Sequence, residues 1–403
     1  MTNLPQGWEV KKLGDIAEIQ IGKTPSRNNI DFFQGENIWL SIRDLKSKFV
    51  SSSSEKISNE AISKTNMKVV PKGTLLMSFK LTLGKTAFAE CDLYTNEAIA
   101  AIFIKNKNIN KYFLDYVLKF TDLEKYVDNA VKGKTLNKQK LKQIEIPLPP
   151  LKEQERIVGI LDESFAKIDE SIKILEQDLL NLDELMQSAL QKAFNPLKDN
   201  AKENYKLPQG WEWKSLGEIG EIITGTTPSK NNPNFYGNEY PLFKPSDLNG
   251  DMIIKYASDN LSKLGFDNAR NLPKDTILVV CIGASIGKVG LSGVNGSCNQ
   301  QINAIIPNSA FTSKYLFFVC LSNYFQTILK KNASQTTLPI INKTEFSKLQ
   351  IPLPPLKEQE QIASHLDELS SHVKNLKQNY QAQIKDLQEL KKSLLDKAFK
   401  GNL

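Results

Sequence analysis

The chain has 403 residues, 40% hydrophobic and 24% charged, an ordinary balance for a globular protein of two or more domains. Its formal net charge of +7 leans toward a polyanionic partner without requiring one, because a mild basic excess is common. No run of about 18 apolar residues could span a bilayer, and the opening MTNLPQGWEV lacks the basic-then-apolar order of a secretory signal, so a cytoplasmic location is expected.

From Leu4 the segment LPQGWEVKKLGDIAEIQIGKTPSR opens a region where short apolar runs, GTLLMSF and IAAIFIK, alternate with turn clusters such as SRNNIDFFQGEN. That pattern predicts a compact α/β domain over 1–150. LGKT at Leu83 to Thr86 has the tail of a phosphate-binding loop, but the glycine needed further upstream falls at Phe79. The glycines therefore read as tight hairpins, or as places where backbone approaches a phosphate closely.

At Ile146 the decapeptide IPLPPLKEQE begins. Pro149 and Pro150 discourage helix before Leu151, while Glu153 and Glu155 suit a helix N-terminus. Beyond it Leu161, Phe165, Ile168, Ile172, Leu175, Leu179, Leu182, Met186, Ala189 and Ala193 alternate in steps of four and three, a heptad seam. The spacing predicts a helix over 151–195, roughly 65 Å long at about 1.5 Å per residue, ended by Asn195-Pro196 and followed by a linker at 196–206.

The chain then repeats itself. LPQGWEWKSLGEIGEIITGTTPSK from Leu207 matches the opening segment, PKDTILVVC from Pro273 matches PKGTLLMSF from Pro71, and IPLPPLKEQE returns unchanged at Ile351. A second α/β domain is expected over 207–355 and a second long helix over 356–400, with apolar positions Leu366, Leu369, Val373, Leu376, Tyr380, Ile384, Leu387, Leu390, Leu394 and Ala398 and breaks near Tyr380 and Leu387. Two copies of a long unit point to a pseudo-dimer on one chain rather than a solenoid. The simplest partner for each seam is the other, in an antiparallel coiled coil. Cys91, Cys281, Cys298 and Cys320 form no CxxC pair and lie far from His365 and His372, so buried thiols are expected and no metal site.

Two differing α/β domains alternate with two similar helices. Each helix is entered through PLPPLKEQE and LDE, and LPQGWE with GKTPS or GTTPS opens each domain. Over essentially the whole chain this arrangement resembles the specificity subunit of type I restriction-modification systems. The resemblance implies a fold of two α/β (α+β) target recognition domains in tandem, separated by two long helices in an antiparallel coiled coil, with an internal pseudo-two-fold repeat. It further implies that each domain reads one half of a split double-stranded DNA target, and that the helices set the spacer and dock two modification (methyltransferase) subunits. Restriction subunits, ATP-dependent translocases and nucleases, would join that core. S-adenosylmethionine, ATP and Mg would belong to those partners, and no cofactor or catalytic residue is expected on this chain.

Between the copies the scaffold segments agree while the loops differ: SFKLTLGKT faces CIGASIGKV, TNEAIA faces CNQQIN, and KGKTLNK faces ASQTTLPIINK. Loops that read bases would then read two different half-sites. Phosphate contacts call for Lys, Arg, Ser and Thr, and base edges for Arg, Lys, Asn and Gln. The expected DNA-contacting residues are Arg27, Lys80, Lys85, Lys134 and Thr135 in the first domain. In the second they are Lys230, Lys288, Asn299, Gln300, Gln301, Gln335 and Thr336. KEQE reads as a solvated first helical turn or, being identical in both copies, as a surface meeting two copies of one partner. The alternative to a DNA reader is a non-enzymatic, two-headed coiled-coil scaffold whose heads bind proteins.

Overall fold

The computed structural model describes residues 4–127, 136–194, 207–334 and 338–403, and the chain divides into two compact units. One comprises Met1–Ile174 with Ala382–Leu403, the other Leu175–Gln381. In the first, strands Ala17–Ile21, Ile99–Ile104, Leu75–Ser78, Thr86–Ala89 and Phe49–Val50 form a five-stranded sheet in that spatial order, antiparallel except for its parallel last pair. A three-stranded sheet places Asn37–Leu40 between Glu55–Ile57 and Tyr94–Thr95. The central strands are apolar throughout because both faces are covered. Leu75 and Met77 pack with Phe113 and Val117 of helix Lys111–Phe120, whereas Leu76 faces Leu40 and Leu93 on the other side.

The second unit repeats this topology. Its five-stranded sheet runs Ile222–Thr224, Ile302–Ile305, Ile277–Val280, Val289–Ser292, Ile253–Ile254, and its three-stranded sheet is centred on Tyr236–Phe243. The repeated sequence segments meet within each unit. Glu9–Lys12 pairs antiparallel with Glu145–Leu148, and Glu212–Ser215 pairs with Gln350–Leu353. LPQGWE and IPLPP thus recur together because each ribbon needs both strands.

The prolines end each ribbon and a helix of 44 residues begins, Leu151–Phe194 and Leu356–Phe399. KEQE in the first turn is only partly solvated. Gln154 is 1% exposed; its Nε2 donates to Pro149 O (2.8 Å) and Asn108 O (3.0 Å), and its Oε1 accepts from Asn110 N (2.8 Å). Gln359 repeats the arrangement, donating to Pro354 O at 2.9 Å and accepting from Thr312 N at 3.0 Å. Asn110 and Thr312 cap the core helices Lys111–Phe120 and Ser313–Leu321, so each glutamine ties a long helix to the helix beneath its domain.

Within each unit, parts of the two long helices run antiparallel. In the first, Arg156 donates to Leu403 O and Lys391 pairs with Asp169, and Leu161 and Phe165 share a core with Leu394 and Ala398. In the second, Lys377 pairs with Asp183, and Leu190 and Phe194 share a core with Ala363 and Leu366. Ile168, Leu182 and Val373 are buried, while Ile172, Leu175, Leu179 and Leu387 are half-buried. Leu376 departs from the expected seam: it is 39% exposed, and Lys377 takes the inward position. Leu390 is likewise exposed beside the half-buried Lys391. A lysine can lay its methylene stem in the seam while its ammonium reaches a partner carboxylate, which keeps the three-four spacing intact.

Candidate nucleic-acid interface

One cluster of loops in each domain gathers most of the described candidate residues. In the first, Lys23 N donates to Thr95 O, Gly22 N to Ile99 O and Phe79 N to Ala98 O, joining 22–27, 79–85 and 95–98. In the second, Gly225 N donates to Ile302 O and Cys281 N to Gln301 O, joining 225–230, 281–288 and 298–301. The shared glycine of GKTPS and GTTPS is there for close approach. A Cβ at Gly22 would lie 2.1 Å from Thr95 O, and one at Gly225 2.2 Å from Asn299 O.

LGKT closes a hairpin. Ser78 Oγ donates to Thr82 O (2.6 Å) and accepts from Lys85 N (3.0 Å), and Gly84 takes the turn at φ +77°. At its tip Leu81 has φ +61° and is 78% exposed. Lys85 is exposed, and Lys80 is half-buried with its ammonium 5.7 Å from the Phe79 ring. In the second domain the corresponding loop carries Lys288, exposed, with Nζ 3.3 Å from Pro245 O, and Lys230 is exposed nearby in sequence to GTTPS.

Other candidates are already occupied. Arg27 donates to both oxygens of Glu55 (2.5 and 3.1 Å) and lies over the Phe33 ring at 4.3 Å. Its hydrogen bond, with the charges of Arg27 and Arg43, holds the Glu55 carboxyl below its ordinary range. Two of the five N–H donors of Arg27 are thus engaged with the scaffold. Asn299 also departs from expectation: it is 7% exposed, accepts from Gln301 N at 3.1 Å and donates to Gln301 Oε1 at 3.0 Å. Such an Asx turn engages both side-chain groups and turns them toward the loop's own backbone and neighbour. Asn96 repeats it in the first domain through Ala98 N, so the asparagine common to TNEAIA and CNQQIN shapes the turn.

Gln300 stays exposed on that turn, with Oε1 accepting from Thr227 Oγ1 at 2.9 Å, and Gln301 is half-buried. Lys134, Thr135, Gln335 and Thr336 lie outside the described residues. Cys281, Cys298 and Cys320 are buried, and burial pushes the first two thiols up to about 12. Among the described residues no group of His, Cys, Asp and Glu could hold a metal ion, and no helix is long and apolar enough to cross a membrane.

The geometry therefore presents two similar loop clusters with different side chains, on domains rooted in long helices. A family model described as the type I restriction modification DNA specificity domain matches residues 5–179 and 208–386. The MjaIX type I restriction enzyme specificity subunit of Methanocaldococcus jannaschii is 26% identical over 99% of this chain and 94% of its own length. A solved chain from work on complex assembly and conformational transition of the type I R-M system superposes with TM-score 0.82 at 22% identity, covering 100% of both chains. The HsdS subunit from Thermoanaerobacter tengcongensis gives TM-score 0.62 at 22% identity, covering 100% of this chain and 98% of that one. With both copies matched over most of its length, this chain belongs to the type I restriction-modification DNA specificity family.

Proposed function

We propose that this chain reads DNA sequence for a type I restriction-modification complex and does no chemistry itself, each globular domain taking one half of a split target. The observation that carries this reading is the same framework built twice, by ribbons, glycines and asparagine turns that recur, beneath loops whose outward side chains differ. Two different readers on one chain call for a bipartite, non-palindromic site. Lys80, Lys85, Lys230 and Lys288 supply phosphate contacts, and Gln300 and Gln301 face bases.

The long helices set the spacing and carry two modification subunits, which bring S-adenosylmethionine; restriction subunits bring ATP and Mg. Ile174, Leu180 and Leu185 on the first helix and Leu376 and Leu390 on the second are exposed apolar residues, the kind of surface a partner covers. Mapping N6-methyladenine across a genome, with the modification subunit expressed alone and with this chain, tests the reading. A split, asymmetric motif that needs this chain is expected. Absence of any new motif, with the two proteins copurifying, would overturn it in favour of a protein-binding scaffold.

A further inference from the structure

The turns that carry Asn96 and Asn299 place Glu97 and Gln300 at equivalent positions, both exposed, each gripped by the threonine of the repeated TPS. Thr24 Oγ1 donates to Glu97 Oε2, and Thr227 Oγ1 donates to Gln300 Oε1 at 2.9 Å. The supporting contacts match as well. Ala98 N and Gln301 N each donate to the turn asparagine at 3.1 Å, and Gly22 and Gly225 each pass too close to the turn to admit a side chain. In both domains a short carboxamide-shaped group is thus pinned at one atom, leaving the other to face outward.

That second atom differs in polarity. In Glu97 it is Oε1, a carboxylate oxygen that only accepts, close enough to the Arg27 guanidinium for the two charges to act on each other; in Gln300 it is the Nε2 amide, which donates. Resting on the DNA-reading function proposed above, we infer that Glu97 and Gln300 are base-reading residues that occupy the same place in their two domains with opposite sense. A carboxylate is repelled by phosphates, so a base edge is its natural DNA partner. In the major groove an acceptor suits an exocyclic amine, cytosine N4 foremost and adenine N6 next, and is repelled by guanine and thymine, which offer acceptors. The amide of Gln300 suits purine N7, guanine O6 or thymine O4, and cytosine gives it no acceptor there. The first half-site therefore carries cytosine or adenine at the position Glu97 reads, and the second carries adenine, guanine or thymine at the position Gln300 reads.

The test maps methylation motifs for the chain co-expressed with its modification subunit, as wild type, Glu97→Gln and Gln300→Glu. Both residues are exposed, and the replacements keep size and the threonine hydrogen bond, so the fold is retained. Glu97→Gln should relax or change the base at one position of the first half-site, with discrimination falling on the order of tenfold, and leave the second half-site intact. Gln300→Glu should do the converse. A wild-type split motif that survives both substitutions with unchanged base frequencies overturns this inference while leaving the reading function standing. A wild-type chain that directs no motif overturns the function itself. Thr24→Val separates reading from charge: it keeps the carboxylate but frees its orientation. It should loosen the first half-site as Glu97→Gln does, and an unaltered motif with Thr24→Val counts against the pinned geometry.

Discussion

Gln154 and Gln359 show how a single side chain can join two elements. Each is buried where the long helix leaves its domain, and each satisfies backbone groups of a loop far away in sequence. Gln154→Leu would keep the volume and strand Asn110 N–H and the carbonyls of Asn108 and Pro149. A buried group left without its hydrogen bond costs about 1–3 kcal/mol, so a loss of about 2–4 kcal/mol is expected in denaturant unfolding of the chain in its complex. Gln359→Leu should act alike, and unfolding midpoints equal to wild type for both would contradict the tie. From sequence this role was hard to see, because glutamine inside KEQE looks solvated. Identity in the two copies reads equally as a surface that meets two copies of one partner, and only burial shows that Gln154 and Gln359 each fill a hydrogen-bond socket. Asn299 misleads for the opposite reason. Its residue type suits adenine, yet the same type suits an Asx turn, and only burial separates the two.

At the scale of elements, both long helices were legible, since apolar spacing and proline placement fix where such elements start, whereas the ribbons were not, because their paired strands lie at opposite ends of each domain's sequence. The second seam was legible only in outline. Where Leu376 and Lys377, or Leu390 and Lys391, stand side by side, hydrophobicity favours leucine, but strict alternation of four and three from Val373 through Tyr380, Ile384, Leu387, Leu394 and Ala398 favours lysine. The structure follows the spacing: Lys377 meets Asp183 and Lys391 meets Asp169. A polar group at a seam position specifies register at some cost in stability. Asp183→Lys should therefore set two ammonium groups against each other and weaken that part of the helix pair by about 1 kcal/mol. Adding Lys377→Asp restores the opposite-sign pair, so the double variant should regain most of the loss. Hydrogen exchange along the two helices reads the difference, and a double variant no more protected than Asp183→Lys alone would show that the pair does not couple.

For the molecule as a whole, two reading domains on one chain make the second binding event intramolecular, which raises affinity by about 10²–10⁴-fold over either domain alone when both sites can be reached. The comparison to make is a duplex bearing the complete mapped target against the same duplex with base pairs inserted in its spacer. About five added pairs turn the second half-site to the opposite face of the helix, and about ten restore the face but add roughly 34 Å. Both insertions should reduce binding by the chain in its complex to that of a single half-site. Because fewer phosphates are then neutralised, the fall of log affinity with log salt should also become shallower, to about half its slope, each contact contributing about 0.9. Recovery at ten pairs but not at five would mean that facing matters and distance does not, as if the readers hung on a flexible tether. Tight binding to all three duplexes would mean that one domain alone supplies the affinity, and the second copy would then need another reason to exist.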